Sequence, residues 1–268
     1  MTDDAADAER RFGGLRRLYG DAGYARLRRA RVAVVGVGGV GSWAAEALAR
    51  CGVAELTLVD LDHVAESNVN RQVQALGTTL GQSKVHALAE RIADIHPACQ
   101  LHLVEDFATP DNWPGLLPVT VDALIDACDQ VRTKQALSAW AMREGIAFVC
   151  AGAAGGKQQP ERIEVDDLAQ VTHDPLLASL RQRLRKHEGA PRQGAMGLRC
   201  VFSREPVRLP DAAQCAADVE SNLACHGYGS SVMVTASVGM AAAGEVVRQW
   251  LGATTESGGL SQVPGLPL

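Results

Sequence analysis

The stretch AVVGVGGVGS, from Ala33 to Ser42, is an apolar run that ends in closely spaced glycines and continues into a helical segment from Trp43 to Arg50. Glycine tolerates positive φ and lets the backbone approach a phosphate, and the free N–H groups at the start of the next helix attract negative charge. The stretch therefore predicts a strand, a phosphate-binding turn and a helix, without saying which nucleotide binds. The glycines expected to contact the nucleotide are Gly36, Gly38, Gly39 and Gly41.

A second strand and an acidic residue follow this turn. The segment from Leu56 to Val59 has the pattern of a strand that ends at Asp60. In open α/β sheets, an acidic residue about 20 positions after the glycine turn binds ribose hydroxyls. Two strand patterns and a correctly spaced acid make a nucleotide site a much stronger interpretation than the glycines alone do.

Strand and helix patterns alternate through the first half of the chain. Such alternation indicates a right-handed, mainly parallel sheet with flanking helices, which is a Rossmann-like α/β fold. The predicted strands are Arg31 to Val35, Gln100 to Val104, Val121 to Asp126 and Ala147 to Cys150. The predicted helices are an N-terminal arm from Phe12 to Ala30, broken at Gly20 and Gly23, then Ser42 to Cys51, Ser83 to Asp94, a short helix beginning at Thr109-Pro110-Asp111, and Arg132 to Glu144.

The regular alternation of strand and helix patterns ends after Lys157. We expect a C-terminal α+β segment with short strands at Arg162 to Val165 and Leu198 to Ser203, a charged helix at Pro175 to Lys186, and a long final helix from Tyr228 to Leu251. We therefore predict a single domain over residues 1–252, with a nucleotide-binding core at 31–156 and an extension for substrate and dimer contacts at 157–252. Residues 253–268 form a tail that we expect to be disordered.

The charge of the chain limits the partners it can bind. The 268 residues carry a net charge of −5, with an isoelectric point near 5.8, so any contact with nucleic acid must come from local basic patches. Two such patches occur, and either is also compatible with an ordinary solvated helix face. One contains Arg26, Arg28, Arg29 and Arg31, and the other contains Arg181, Arg183, Arg185, Lys186 and Arg192.

Cysteine usage and hydropathy indicate a cytoplasmic protein. The seven cysteines have no CxxC spacing, and residues 1–9 are acidic where a leader peptide would be basic and apolar. The stretch from Gly227 to Gly244 is uncharged but rich in Gly, Ser, Thr and Ala, so it is only weakly hydrophobic. We therefore expect it to form a buried or interface helix and expect no stable membrane insertion.

Charged and amide side chains between the second and fourth strands select the chemistry. A reaction that builds negative charge on phosphorus needs cations near the phosphate turn, whereas hydride transfer needs little charge neutralisation. Arg71 and Lys84 suit the stabilisation of a transferring phosphoryl or adenylyl group, and Asp129 suits Mg²⁺ held against phosphates. The candidate nucleotide contacts in this region are Asp60, Asp62, Asn68, Asn70, Arg71, Gln72, Lys84, Asp126 and Asp129.

These motifs resemble those of the ThiF/MoeB superfamily of adenylating enzymes, which are relatives of ubiquitin-activating enzyme. The matching segments are GVGGVGS at Gly36 to Ser42, LVDLD at Leu58 to Asp62, NVNRQ at Asn68 to Gln72, Lys84, and DACD at Asp126 to Asp129. The resemblance implies ATP as the nucleotide and Mg²⁺ as its metal ion. It implies that Asp60 binds ribose, that Asn70 and Arg71 contact phosphates, that Lys84 aids attack on the α-phosphate and that Asp129 serves Mg²⁺.

Further segments are similar to one branch of that superfamily, the tRNA threonylcarbamoyladenosine dehydratases. This resemblance implies a homodimer that uses ATP to cyclise, with loss of water, the threonylcarbamoyl group at adenosine 37 of tRNA. It implies activation of the carboxylate as an acyl adenylate, with an acyl phosphate as the alternative. The segments are RFGGLRRLYG at Arg11 to Gly20, EDFATPDN at Glu105 to Asn112, AGAAGG at Ala151 to Gly156, DLA at Asp167 to Ala169, DPL at Asp174 to Leu176, CVFS at Cys200 to Ser203 and GYGSSVMVTA at Gly227 to Ala236.

Two departures from the superfamily pattern bear on these expectations. The CxxC pairs that hold zinc in many activators of sulfur-carrier proteins are missing, so we do not expect a structural zinc site. Many members also carry an N-terminal arginine that reaches into the ATP site of the partner subunit. The expected position is Gly14 here, which leaves Arg11, Arg16 and Arg17 as alternatives.

Other functions remain open at this stage. The same fold could activate a ubiquitin-like or sulfur-carrier protein, or accept sulfur from a cysteine desulfurase, for which Cys200, Cys215 and Cys225 are the candidate thiols. A nucleotide-gated binding protein would not need the cations, and an NAD-dependent dehydrogenase would depend on the glycine turn alone.

The loop from Gly152 to Gly156 is as compatible with a plain connection as with lining the site. The basic cluster from Arg181 to Arg192 is the candidate surface for the tRNA backbone.

Overall fold

The computed structural model describes residues 3–208 and 228–252. Its strands are β1 (Arg31–Val35), β2 (Glu55–Val59), β3 (Gln100–Val104), β4 (Ala123–Asp126), β5 (Ala147–Ala151), β6 (Ile163–Asp167) and β7 (Arg199–Ser203). Its helices are α1 (Asp3–Phe12), α2 (Gly14–Leu27), α3 (Gly41–Arg50), α4 (Lys84–Ile95), α5 (Val131–Glu144), α6 (Pro175–His187) and α7 (Val232–Gly252). Short 3₁₀ helices lie at Glu66–Asn68, Pro160–Arg162 and Leu168–Gln170.

Strand β1 lies inside a sheet that is covered on both faces. The order across the sheet is β3-β2-β1-β4-β5-β7-β6, and β6 is antiparallel to β7 while the other neighbours pair in parallel. Because side chains alternate along a strand, Val32 and Val34 pack with α3 and α7, whereas Ala33 and Val35 pack with α5 and α6. The predicted Rossmann-like architecture, with its α+β extension and long final helix, is confirmed.

The strand order places the nucleotide-binding turn at a crevice. β1 pairs with β2 on one side and with β4 on the other. The connection after β1 leads to β2, and the connection after β4 leads to β5, so the two connections run in opposite directions across the sheet. Ligands of open α/β sheets bind where the strand order reverses, beyond the carboxyl ends of the strands. The glycine turn after β1 and the segment after β4 both lie at this end of the sheet.

The segment after Thr109 differs from its prediction. Thr109 and Asn112 satisfy each other's backbone N–H groups, as at a helix start, with N–O distances of 2.7 Å and 3.3 Å. The chain nevertheless forms only turns between residues 110 and 116. Pro114 explains the difference, because proline has no N–H to donate and disfavours helical geometry in the residue before it. The predicted short helix at Thr109 is therefore wrong.

The terminal helices also differ from their predicted bounds. The N-terminal arm begins at Asp3, and Gly20, with φ +70°, interrupts α2, whereas Gly23 stays within the helix. Helix α7 begins at Val232 instead of Tyr228. Its preceding carbonyls are used elsewhere, since the Gly229 carbonyl accepts a hydrogen bond from the backbone N–H of residue 156 at 2.8 Å. Within the two described stretches, none of the helices combines the length and hydropathy that crossing a membrane requires.

Helix α7 packs closely against α3. At the crossing, a Cβ atom on Gly239 would lie 2.9 Å from the Cβ atom of Trp43, closer than real side chains approach. The absence of a side chain at Gly239 therefore lets α7 approach the first turn of α3, directly behind the glycine turn. The division into a core and an extension stays a prediction, and the predicted tail at 253–268 lies outside the described residues.

Candidate nucleotide site

The glycine turn has the shape that a phosphate cradle requires. Gly36 has φ +82°, donates its N–H to the Val59 carbonyl at 2.8 Å, and would carry a Cβ atom only 2.9 Å from the Ala127 carbonyl oxygen. A Cβ atom on Gly41 would overlap the Gly36 carbonyl oxygen. A side chain at either position would therefore disrupt the turn, and α3 begins at Gly41, directly after it.

Asp60, at the end of β2, holds the glycine turn in place. Its two carboxylate oxygens accept backbone N–H groups, from Val37 at 2.8 Å and from Asp62 at 3.0 Å. The side chain is 8% exposed, and burial raises the pKa of the carboxyl group, although the nearby Lys84 ammonium acts against this. Asp60 therefore organises the turn in this structure, and its contact with a ribose stays a prediction.

Lys84 lies with two aspartates at the start of α4. Its ammonium is 2.6 Å from Asp62 Oδ2 and 3.9 Å from Asp60 Oδ1. The Lys84 side chain is buried, but that of Asp62 is 53% exposed. The fold thus brings these three predicted residues together. Asp62 is the partner of the Lys84 ammonium in this structure, and a phosphate group could replace it in that position.

Arg71 lies beside another residue of the glycine turn. Its side chain lies beside Gly39, where a Cβ atom would be 3.4 Å from Arg71 Cδ. Its guanidinium donates to Asn70 Oδ1 at 3.0 Å, and its carbonyl accepts from the indole of Trp43 at 2.9 Å and the hydroxyl of Thr235 at 3.3 Å. Helices α3 and α7 therefore position the backbone of Arg71, whose side-chain stem lies against the turn. The sequence interpretation missed both Trp43 and Thr235.

Asn68 and Gln72 are buried, unlike the exposed Asn70. The Asn68 side chain accepts the backbone N–H of Ala65 at 3.1 Å, and the Gln72 side chain accepts from Gln74 at 3.3 Å. Gln74 in turn donates to the Val37 carbonyl at 2.8 Å. These contacts support the turn and its neighbouring loop, and direct contacts of Asn68 and Gln72 with nucleotide stay predictions.

The two aspartates after β4 have opposite environments. Asp126 is fully buried, and its carboxylate contacts the Lys134 ammonium at 3.1 Å, the Cys128 N–H at 3.1 Å and the Cys150 thiol at 3.4 Å. Asp129 is exposed. Of the two, Asp129 is therefore the one whose carboxylate is available to a ligand in this structure. The sequence interpretation missed Lys134, because nothing in the spacing of α5 marks a lysine that points inward.

The segment from Tyr228 to Ser231 connects two loops around the site. The Gly229 carbonyl accepts the N–H of Gly156 at 2.8 Å, and the Ser230 carbonyl accepts the amide of Asn70 at 2.8 Å. The loop from Gly152 to Gly156 therefore shares a common support with the loop that carries Asn70, which favours its role in lining the site.

The basic clusters are largely used inside the fold. Arg181 donates to the carbonyls of Leu168 and Val171 at 3.0 Å and 2.8 Å, and Arg183 donates to Gln135 at 2.7 Å. Lys186 and Arg192 are exposed. In the N-terminal cluster, the Arg26 guanidinium lies 4.2 Å from the ring centroid of Trp250, and Arg31 pairs with Asp122 at 2.8 Å. Only part of either cluster is thus presented to solvent.

A sequence profile of the ThiF family matches residues 12–263 of this chain. The chain belongs to the ThiF family. This ThiF-family protein is 42% identical over 257 residues to the tRNA threonylcarbamoyladenosine dehydratase of Escherichia coli K12, an alignment that covers 92% of this chain and 96% of that one.

Solved structures of ThiF-family proteins agree with the fold. The crystal structure of the E. coli dehydratase in complex with ATP superposes with a TM-score of 0.84 at 41% identity and covers 93% of this chain and 97% of that one. The crystal structure of the same enzyme in complex with AMP has a TM-score of 0.83 at 41% identity, with coverages of 92% and 96%. The likeness therefore extends over nearly the whole chain and includes the nucleotide-binding half.

The thiols of this ThiF-family protein are poorly suited to sulfur transfer in the part of the chain that the structure describes. Burial raises the pKa of Cys51 and raises that of Cys99 to about 12. Cys200 is fully buried, and the other two candidates, Cys215 and Cys225, lie outside the described residues. Among residues 3–208 and 228–252, no three His, Cys, Asp or Glu side chains are grouped so as to hold a metal ion by themselves.

Proposed function

We propose that this chain is an ATP-dependent dehydratase that cyclises the threonylcarbamoyl group of adenosine 37 in tRNA. The observation that carries the proposal is the placement of two cations near the glycine turn, in a chain similar over 92% of its length to an E. coli dehydratase. Arg71 lies beside Gly39, and Lys84 lies beside Asp60, whose carboxylate accepts the Val37 N–H. Two cations near a phosphate cradle suit attack at phosphorus and have no counterpart in hydride transfer.

The proposed reaction begins with attack of the substrate carboxylate on the α-phosphate of ATP. A carboxylate oxygen forms a bond to phosphorus while the bond to pyrophosphate breaks, which gives an acyl adenylate. An atom of the threonylcarbamoyl group then attacks the activated carbonyl carbon, the ring closes and AMP departs with the carboxylate oxygen. Relative to its neutral carboxylic acid, the substrate loses one water in total: the oxygen leaves on AMP, and two protons go to solvent, one when the carboxyl group ionises and one from the atom that closes the ring.

Each polar residue of the site has a role in this route. The N–H groups of the glycine turn and α3 bind phosphate oxygens. Lys84 leaves Asp62 and, with Arg71, stabilises the charge that builds on the α-phosphate as the carboxylate attacks. Asp60 keeps Val37 in place and offers its remaining lone pairs to the ribose.

Asp129 is the residue that we assign to Mg²⁺. Mg²⁺ in nucleotide sites keeps several waters and is held by one or two carboxylates together with phosphates, so one exposed carboxylate at the crevice fits it. Among residues 3–208 and 228–252, the carboxylate accepts one side-chain hydrogen bond, from Gln130 at 3.3 Å, which leaves most of its lone pairs available to a ligand. Bound there, the ion would neutralise phosphate charge.

A homodimer is part of the proposal. Val69, Met233 and Met240 are 53%, 60% and 44% exposed, and they lie on one side of the molecule because Val232 donates its N–H to the Asn70 carbonyl and residues 233 and 240 are two helical turns apart. Exposed apolar side chains that cluster in this way are typical of interfaces. We propose that a second copy of the chain covers them.

The contacts of Arg11, Arg16 and Arg17 differ, and they support one of the three as the arginine that would reach across such a dimer. Arg11 donates to the carbonyls of Asp94 and Ile95 at 3.1 Å and 3.2 Å, and Arg16 pairs with Asp21. Arg17 is exposed and makes no hydrogen bond or ion pair of this kind within residues 3–208 and 228–252. We therefore assign the role to Arg17. We also propose a cytoplasmic location, where tRNA is modified, and contacts of Lys186 and Arg192 with the tRNA backbone.

One experiment tests the proposed function. The protein is incubated with ATP, Mg²⁺ and tRNA that carries threonylcarbamoyladenosine, and the digested nucleosides are analysed by mass spectrometry. We expect the modified nucleoside to lose the mass of one water, and only when ATP is present. An unchanged nucleoside mass, from a preparation that binds ATP, would rule out the dehydratase and leave activation of a carrier protein as the next reaction to assay.

A further inference from the structure

Two lysines of the described chain are almost completely buried, and the proposed reaction uses neither. Lys134 is 0% exposed and Lys157 is 2% exposed. Lys134 lies in the first turn of α5, and its ammonium is 3.1 Å from Asp126 Oδ1 and 2.8 Å from the Ala151 carbonyl oxygen. One buried cation thus joins the carboxyl ends of β4 and β5, the two strands from which loops lead into the site.

The contact between Lys134 and Asp126 continues to the nucleotide crevice through Cys128. Asp126 Oδ1 also accepts the backbone N–H of Cys128 at 3.1 Å and its thiol at 2.9 Å. The same backbone nitrogen would be 3.1 Å from a Cβ atom on Gly36, so it lies against the glycine turn. Asp129 is the next residue along the chain. The orientation of the Asp126 carboxylate therefore determines the turn that presents Asp129.

Stability alone is a poor explanation for this arrangement. Removing an ammonium and a carboxylate from water costs several kcal/mol per ion, and a well-packed apolar pair of the same volume is often equally or more stabilising. Burial by itself lowers the pKa of Lys134, but the Asp126 carboxylate raises it above its ordinary value, so the ammonium stays charged. What an ion pair with hydrogen bonds provides here, and an apolar pair would not, is a fixed direction for each bond.

We propose that Lys134 is a positioning residue for the ATP-dependent reaction. Through Asp126 and Cys128 it fixes the turn that carries Asp129. Through the carbonyl of Ala151, the last residue of β5, it fixes the start of the loop from Gly152 to Gly156. The inference rests on the proposed function, because it gives Asp129 the task of holding Mg²⁺ beside bound ATP.

The test uses a variant in which both charges are removed together, Asp126→Asn with Lys134→Met. The double variant keeps the side-chain volumes and leaves no unpaired charge in the interior. The dissociation constant of ATP is measured by calorimetry with Mg²⁺ and with EDTA, and the ratio of the two constants is the Mg²⁺ gain. We expect the Mg²⁺ gain to fall at least fivefold, while the affinity for ATP in EDTA stays within threefold of the original chain.

Lys157→Met is the matched control, because it also removes a buried ammonium. Lys157 donates to the carbonyls of His173 at 2.8 Å and Ser203 at 3.4 Å, away from Asp126. We expect this variant to lose thermal stability but to keep the Mg²⁺ gain within twofold. If Lys134 had only a structural role, the double variant would likewise lose thermal stability and keep its Mg²⁺ gain within twofold.

A folded double variant with an unchanged Mg²⁺ gain overturns the inference. Where circular dichroism shows that the double variant does not fold, Cys128→Ala decides the matter, because it keeps both charges and removes one donor to Asp126. A Mg²⁺ gain at least twofold smaller supports the inference, and an unchanged gain overturns it. If the original chain binds no ATP or shows no Mg²⁺ gain, the proposed function itself fails, which separates the two failures.

Discussion

The two sides of the crevice hold a lysine and an aspartate in very different ways. On the β2 side, Lys84 pairs with Asp62, and the Asp62 side chain is 53% exposed. On the β4 side, Lys134 pairs with Asp126, and both side chains are 0% exposed. An exposed partner can be replaced by a phosphate group, since water stabilises the released carboxylate, whereas a buried partner cannot be released without leaving a charge in the interior.

This difference supports separate roles for the two lysines in the proposed reaction. On that proposal, Lys84 leaves its exposed partner when ATP binds, and its charge becomes available for the reaction. Lys134 keeps its buried partner and positions Asp129. The burial of the carboxylate partner is therefore the property that we expect to separate the two roles.

The largest expected effect is that of Lys84→Ala. Loss of a cation that stabilises charge in the transition state typically lowers turnover by about 10²–10³-fold. The fold should be kept, because the released Asp62 is exposed to water. The measurement is the rate of nucleoside dehydration at saturating ATP, with circular dichroism to check folding. Arg143→Ala, which removes an exposed cation in the last turn of α5, should keep the rate within about threefold as the control.

Full activity of folded Lys84→Ala would show that the comparison is wrong, because the lysine with the displaceable partner would then not act on the ligand. A loss confined to the KM for ATP would instead assign Lys84 to binding. The expected result is a loss mainly in kcat, because the charge on the α-phosphate increases during attack.

Asp129→Asn should have the next largest effect. The amide keeps the shape of the side chain but removes the charge that we assign to Mg²⁺, so turnover at 1 mM Mg²⁺, about the physiological level, should fall by on the order of 10²-fold. Part of the rate should return as Mg²⁺ is raised, which is measured by titrating the ion at fixed ATP. Asp111→Asn is the control, because Asp111 is another exposed aspartate. A rate in Asp129→Asn that is low but independent of Mg²⁺ would contradict the assignment.

A third buried basic group extends the comparison to pH. His96 is 2% exposed, and its ring nitrogen lies 2.8 Å from the Arg28 guanidinium; no carboxylate of the described stretches pairs with it. Burial and the Arg28 charge lower the pKa of His96 from 6.5 to about 4. The unfolded chain therefore binds a proton between these two values while the folded chain does not, so stability is complete above pH 6.5 and is lost as the pH falls towards 4.

The expected loss of unfolding free energy between pH 7 and pH 5 is about 2 kcal/mol from this histidine. It is measured by urea unfolding at the two pH values. His96→Gln should be less stable at pH 7 but should show a smaller difference between the two. An equal pH dependence in both chains would mean that another group causes it.

Much of the fold follows from local patterns, but the buried polar contacts do not. The bounds of β1 and β3 were predicted to the residue, because β1 is an apolar run that leads into the glycine turn and β3 has leucines at alternate positions, Leu101 and Leu103. Asp60, Asp62 and Lys84 were each predicted to contact the nucleotide; the structure brings them together, and the contact with nucleotide stays a prediction. Lys134 escaped prediction, since a lysine in a helix is normally exposed and only the tertiary fold brings Asp126 and the Ala151 carbonyl to it.

The smallest expected effect comes from Thr235→Val, which asks how far α7 positions Arg71. The hydroxyl of Thr235 donates to the Arg71 carbonyl at 3.3 Å in a 2% exposed environment, and valine has the same shape without the donor. One such bond contributes about 0.5–1 kcal/mol, which corresponds to a roughly twofold to fivefold rise in the KM for ATP with little change in kcat.

Ser237→Ala is the matched control, because its hydroxyl donates at 2.6 Å to the Met233 carbonyl within α7. If both variants change KM equally, α7 affects the site only through its general stability. If only Thr235→Val changes KM, the half-buried Arg71 depends on a buried backbone anchor, in the same way as we propose that Asp129 depends on Lys134.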